Sequence, residues 1–85
     1  MDTERTNITR EVGSRIRYAR KSRGMSMDEL AQAIYKTRSA ISKYENGQIS
    51  VDIATLYDIA NALKVSIYDL LHRNTPDIGQ EYNAE

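Results

Sequence analysis

The stretch that decides the fold covers residues 26–47 and reads Ser-Met-Asp-Glu-Leu-Ala-Gln-Ala-Ile-Tyr-Lys-Thr-Arg-Ser-Ala-Ile-Ser-Lys-Tyr-Glu-Asn-Gly. It predicts two short helices joined by a tight turn. Ser26 begins the first helix as part of a capping box with the glutamate three residues later, and Thr37 is the N-cap of the second. In the second helix, Ile41 and Tyr44 point inward. The outer face of that helix is therefore polar and partly basic.

Three further helices flank this pair. The first is predicted over residues 8–23 and ends at Gly24, where a left-handed backbone carries no Cβ strain. Asp52 is the expected N-cap of the fourth helix, and Ser66 begins the fifth with a capping box of its own. The apolar positions of these three helices are Ile8, Val12, Ile16 and Ala19; Ile53, Leu56, Ile59, Ala60 and Leu63; and Ile67, Leu70 and Leu71.

These patterns predict an all-α protein with one compact five-helix domain over residues 8–72. An N-terminal arm, residues 1–7, precedes the domain, and a polar, flexible tail, residues 73–85, follows it. The chain has 85 residues and no cysteine, which fits a reducing compartment. It contains no apolar run near the ~20 residues that span a bilayer, and its polar start is unlike a signal peptide. A cytoplasmic protein is expected.

Charge is distributed unevenly along the chain although the formal net charge is zero. Residues 1–48 hold ten Lys and Arg against six Asp and Glu, a surplus of +4. Residues 49–85 hold two against six, a difference of −4. The basic surplus therefore lies on the half that carries the helix pair, and such asymmetry steers one face of a protein toward nucleic acid. In the alternative interpretation, the basic residues of the first helix are simply solvated.

The helix pair has the layout of a helix-turn-helix, whose second helix enters the major groove of DNA. The chain resembles the lambda-repressor-like helix-turn-helix family, also called the Cro or XRE family. The resemblance covers Val12 to Leu71 and is strongest in three segments: Leu30-Ala31, Ile-Ser-Lys-Tyr-Glu-Asn-Gly at residues 41–47, and Leu56 to Ser66. It implies a compact five-helix DNA-binding domain that usually acts as a symmetric dimer and most often represses transcription.

The resemblance also implies residue roles. Groove-facing positions are matched by Arg38, Ser39, Ser42 and Lys43, and these are the base-contact candidates. Phosphate-contact positions are matched by Ser26, Met27, Thr37, Asn46 and Gln48. Lys36 and Arg17 are also phosphate-contact candidates, because their cationic side chains can reach the DNA backbone. Arg20 and Glu45 match a structural ion pair of the family.

The chain departs from the family at four places: Met27, Tyr35, Lys36, which replaces a usually apolar residue, and Lys64, which replaces a glycine after the fourth helix. Met27 stands where the family often has glutamine, and a thioether cannot donate the hydrogen bond that an amide gives. Tyr35 stands where the tight turn usually has glycine. Either this tyrosine takes the left-handed conformation at a cost of roughly 1 kcal/mol, or the turn is reshaped.

The candidate side chains suit DNA chemically. Arg38 can donate two parallel hydrogen bonds to guanine O6 and N7, and Lys43 can contact a base or a phosphate. Ser39 and Ser42 are short enough for the helix to approach closely. A single histidine and no cysteine provide no metal-ligand cluster, and nothing in the sequence indicates a catalytic site. No enzyme activity, cofactor, metal or small-molecule ligand is expected.

Together these features predict a sequence-specific transcriptional regulator that binds double-stranded DNA, most simply a repressor acting as a homodimer on an inverted repeat. The alternative is a protein-interaction module that uses the same fold without direct DNA binding. Non-specific coating of DNA is disfavoured by the zero net charge. No membrane contact is expected.

Overall fold

All five predicted helices are present in the computed structural model, which describes residues 3–72. The helices are α1 (Thr3–Ser22), α2 (Met27–Ala33), α3 (Arg38–Glu45), α4 (Ile53–Leu63) and α5 (Ile67–Leu71). The described part of the chain contains no strand. The all-α prediction is therefore confirmed, while the predicted tail 73–85 lies outside the described residues.

Helices α2 to α5 each begin directly after the N-cap that the sequence predicts. Ser26, Thr37, Asp52 and Ser66 have extended backbones, and each side chain accepts a hydrogen bond from the backbone N–H three residues later. The predicted capping boxes at α2 and α5 are both confirmed. Hydrogen bonds from Thr55 lower the pKa of the Asp52 carboxyl, so this cap is ionised at neutral pH.

One hydrophobic core joins the five helices. Helix α1 packs on α3, α4 and α5, while α2 packs on α3 and α4. The largest fully buried side chains are Ile16, Leu30, Ile41, Ile59, Leu63 and Leu70. Burial of one such aliphatic side chain contributes roughly 1.5–3 kcal/mol, so the core holds α3 with its apolar side inward.

The start of α1 differs from the prediction. The expected arm over residues 1–7 is helical from Thr3 onward, and the predicted start at residue 8 is wrong by about a turn and a half. No proline or glycine interrupts residues 3–8, and Glu4 in the first turn interacts favourably with the helix dipole. An apolar stripe marks only the part of a helix that is buried. Residues 3–7 are polar and not buried, so the stripe does not mark the observed start of α1.

Three predicted core residues are exposed. Ile53 is 65% exposed, and Ile8 and Leu71 are each 45% exposed. Periodicity identifies the side of a helix on which a residue lies, but it does not show whether another element covers that part of the helix. Ala19 and Ile67, also predicted as core residues, pack partly buried against the core.

Within residues 3–72, no helix combines the length and hydrophobicity that crossing a bilayer requires. The same residues contain no group of three His, Cys, Asp or Glu side chains able to hold a metal ion.

Candidate nucleic-acid interface

The end of α3 is held against α1 by a close backbone approach at Gly13. A Cβ atom at this position would lie 2.2 Å from the carbonyl oxygen of Tyr44 and 2.8 Å from that of Glu45. Real Cβ atoms do not approach so closely, so only glycine fits without movement of one helix. Gly13 is not among the residues predicted from the sequence, although a glycine in the middle of a helix costs about 1 kcal/mol relative to alanine and often has a packing reason.

A buried ion pair forms the second link between these helices. Arg20 Nε donates to Glu45 Oε2 at 2.6 Å, and Nη2 donates to Oε1 at 2.9 Å. The remaining nitrogen, Nη1, donates to the carbonyl oxygen of Met25 at 2.9 Å. The hydrogen bond to Glu45 raises the pKa of the Arg20 guanidinium above its ordinary value, so the guanidinium remains charged. The Arg20–Glu45 ion pair that the family resemblance implies is thus present in the structure.

The turn between α2 and α3 keeps the left-handed conformation although it lacks a glycine. Tyr35 has φ +59°, and its side chain is 94% exposed. The N–H of Lys36 reaches back to the carbonyl of Ala31 at 2.9 Å, which closes the end of α2. Of the two sequence-based alternatives, the strained tyrosine is therefore the one observed.

Helix α3 presents the four base-contact candidates on its outer side. Arg38, Ser39 and Lys43 are exposed, and Ser42 is half-buried with its hydroxyl 3.4 Å from the Asn46 amide nitrogen. We call these four residues, Arg38, Ser39, Ser42 and Lys43, the recognition surface. Ala40, which lies between Ser39 and Ile41, is partly buried and packs against the core. The structure thus brings the candidates together on one face, and their contact with DNA stays a prediction.

The phosphate-contact candidates are exposed, with one exception. Lys36, Thr37, Asn46, Gln48 and Arg17 are exposed. Arg17 lies one turn after Gly13 along α1, and therefore on the side of α1 that meets α3. Ser26 is also exposed, but its hydroxyl already accepts the capping hydrogen bond from Glu29 N at 3.0 Å.

Met27 is the exception. Its side chain is half-buried and packs against the hydrophobic core. A phosphate contact from this residue can therefore come only from its backbone N–H. The side chain packs there because it is apolar and gains more from burial than from water contact, and contact between Met27 and phosphate stays a prediction.

Two charged residues have partners that the sequence analysis missed. Arg23 donates from Nε to the carbonyl of Leu63 at 2.8 Å and from Nη2 to that of Lys64 at 2.9 Å. It therefore ties the end of α1 to the end of α4 and is not simply a solvated cation. Asp28, in the first turn of α2, places Oδ1 3.8 Å from Arg38 Nε. No local pattern reveals either contact, because the partners are distant in sequence.

Comparison with known proteins identifies the class. The helix-turn-helix family HTH_3 matches residues 16–70, so the chain belongs to this family. That range includes α2, the turn and α3, together with Arg20 and Glu45. The resemblance noted from the sequence is thereby confirmed.

Two curated relatives carry regulatory names. The chain is 36% identical over 61 residues to an uncharacterized transcriptional regulator in the ATPase CF(0) region of Rhodospirillum rubrum, covering 72% of this chain and 56% of the relative. It is 37% identical over 59 residues to YonR, an SPbeta prophage-derived uncharacterized HTH-type transcriptional regulator of Bacillus subtilis, covering 69% and 55%. The chain spans just over half the length of these relatives.

Solved structures show the same fold. The clp gene regulator ClgR from Corynebacterium glutamicum superposes with a TM-score of 0.74 at 28% identity, covering 75% of this chain and 68% of that one. The restriction-modification controller protein C.AhdI from Aeromonas hydrophila gives a TM-score of 0.70 at 29% identity, covering 73% and 94%. The lambda-repressor-like fold predicted from the sequence is confirmed.

Proposed function

We propose that this chain is a sequence-specific, double-stranded DNA-binding regulator of transcription that acts as a homodimer, most simply as a repressor. The observation that carries the proposal is the two-sided character of α3. Its inner side is anchored by buried Ile41 and Tyr44, while its outer side is the recognition surface. An α-helix is about 10–12 Å across with its side chains, so α3 fits a major groove ~12 Å wide.

The candidates divide into two chemical groups. Lys36, Arg17 and Gln48 would bond phosphate oxygens and set the register of the protein on the duplex. Arg38 would read guanine through O6 and N7, while the short Ser39 lets the helix approach the base edges. Because one small domain reads few base pairs, two copies on half-sites about 34 Å apart supply the remaining specificity.

Exposed aromatic and aliphatic side chains support the dimer. Tyr57 and Tyr68 are 58% and 62% exposed, and Leu71 is 45% exposed. These residues lie on α4 and α5, whereas α3 packs on α1 and α2, so a second copy bound there leaves α3 free. The proposal includes a cytoplasmic location, where such a regulator meets its operator.

The test begins with selection of bound duplexes from a random DNA library at near-physiological salt. An enriched inverted repeat is the expected result. The selected duplex is then titrated with Arg38→Ala and Lys43→Ala variants by fluorescence anisotropy. Each loss of a bidentate base contact should weaken binding by about 1–3 kcal/mol. Lys64→Gly is a matched control, because it removes one exposed positive charge directly after α4, at a residue whose φ of +59° suits glycine.

The result that would refute the proposal is a folded protein that binds no duplex. The same outcome would favour a protein-interaction module that docks through the acidic C-terminal half. Binding without sequence enrichment, with a steep salt dependence, would indicate contact with the backbone alone. Full retention of affinity in both α3 variants, verified as folded by circular dichroism, would refute the assignment of the recognition surface.

A further inference from the structure

A carboxylate lies beside the leading arginine of the recognition surface. Asp28 Oδ1 is 3.8 Å from Arg38 Nε, and the side chains are 69% and 65% exposed. We propose that Asp28 is a positioning residue for base reading, which holds the guanidinium of Arg38 from its Nε side. This inference rests on the proposed function, because it assigns a role in reading DNA.

The geometry of the guanidinium supports this role. Arginine carries five N–H donors in a rigid planar fork. A carboxylate beside Nε leaves the outer edge, formed by Nη1 and Nη2, available for guanine O6 and N7. An arginine without such a neighbour must lose more side-chain freedom when it docks. Asp28 therefore favours the orientation that the bidentate base contact needs.

Asp28 lies in the first turn of α2, where a carboxylate interacts favourably with the helix dipole, but affinity for the DNA backbone does not explain its place beside Arg38. An exposed ion pair of this kind contributes little to folding. A negative charge next to the recognition surface also repels phosphate, so it weakens binding to every DNA sequence. The adjacent Met27 turns its side chain into the core and cannot support Arg38 with a hydrogen bond. Specificity in base reading is a benefit that offsets this repulsion.

Asp28→Asn tests the proposal, because it removes the charge and keeps the shape. The full chain is titrated with the selected operator duplex and with a scrambled duplex of equal length at the same salt. Loss of the ion pair should weaken operator binding about two- to fivefold. Binding to the scrambled duplex should stay unchanged or become tighter, because one negative charge near the phosphates is gone. Repeat selection should show relaxed preference at the base pair that Arg38 reads.

Three further variants make the interpretation specific. In an Arg38→Ala background, Asp28→Asn should no longer weaken operator binding, and its effect should equal that on the scrambled duplex, because the positioned group is absent. Asp28→Glu should restore part of the operator preference, since the carboxylate returns on a longer side chain. Asp58→Asn removes the same charge from an exposed position on α4. It should leave the ratio of operator affinity to scrambled-duplex affinity unchanged.

If Asp28→Asn tightens binding to both duplexes by the same factor, and does so equally in the Arg38→Ala background, the proposal is overturned. Asp28 would then act on DNA binding through its charge alone. A wild-type chain that selects an operator, with Asp28→Asn retaining full preference, would also overturn it and leave the proposed function intact. A wild-type chain that selects no sequence would refute the proposed function itself.

Discussion

Arg20→Ala should remove a large part of the stability of the domain. The side chain of Glu45 is completely buried, and Arg20 is its ion-pair partner. Loss of one partner from a buried pair leaves an uncompensated charge and costs about 3–5 kcal/mol. The carbonyl of Met25 loses its donor as well. At about 0.05–0.15 kcal/mol per residue, the free energy of unfolding of a domain this size is roughly 4–13 kcal/mol.

The assay is equilibrium unfolding in urea at pH 7, followed by far-ultraviolet circular dichroism. Arg17→Ala is a matched control because it removes an exposed arginine one turn earlier on α1, and it should change the free energy of unfolding by less than about 0.5 kcal/mol. The double variant Arg20→Met/Glu45→Leu replaces both charges with apolar groups. It should be more stable than Arg20→Ala, because no buried charge is left alone.

Two results would refute this reasoning. One is a loss below about 1 kcal/mol for Arg20→Ala, which is the magnitude of an exposed pair. The other is a double variant no more stable than the single variant. If the expected loss is observed, weak DNA binding by Arg20→Ala reports unfolding, and it says nothing about contact between Arg20 and DNA.

Two backbone predictions complete the set. Gly13→Ala should lower the free energy of unfolding by about 1–3 kcal/mol, as overpacked sites do, even though alanine is the better helix former. Ser14→Ala on the exposed side of α1 is its control, and urea unfolding in which Gly13→Ala matches or exceeds wild-type stability would contradict the close approach to α3. Tyr35→Gly should raise the free energy of unfolding by about 0.5–1 kcal/mol, because relief of left-handed strain exceeds the greater chain entropy of glycine. A lower thermal midpoint for Tyr35→Gly than for wild type would mean that the ring makes stabilising contacts.

Features encoded in neighbouring residues were predictable from the sequence. The starts of α2 to α5 follow from N-caps such as Ser26 and Thr37, because each cap bonds an N–H only three residues away. The outer position of Arg38 and the inner position of Ile41 follow from helical periodicity within α3. These local rules were sufficient to place the recognition surface on one face.

Features that depend on distant partners were not predictable from local patterns. Gly13 meets the end of α3 some thirty residues later, and Arg23 bonds carbonyls forty and forty-one residues later. Exposure at Ile53 depends on which element covers the start of α4. The Arg20–Glu45 pair could be assigned only because the family resemblance supplied the pairing.

The self-capped short helices have a consequence for folding kinetics and for the lifetime of the protein. Helices α2 to α5 have 5 to 11 residues and are too short to persist alone, but their caps bias the unfolded chain toward the correct starting points. Helical domains with mostly local contacts fold within about microseconds to milliseconds. When reclosing outpaces cleavage, proteolysis follows the equilibrium population of opened molecules. We therefore expect stability changes at residues far from DNA, such as Gly13, to set the cellular abundance of this protein.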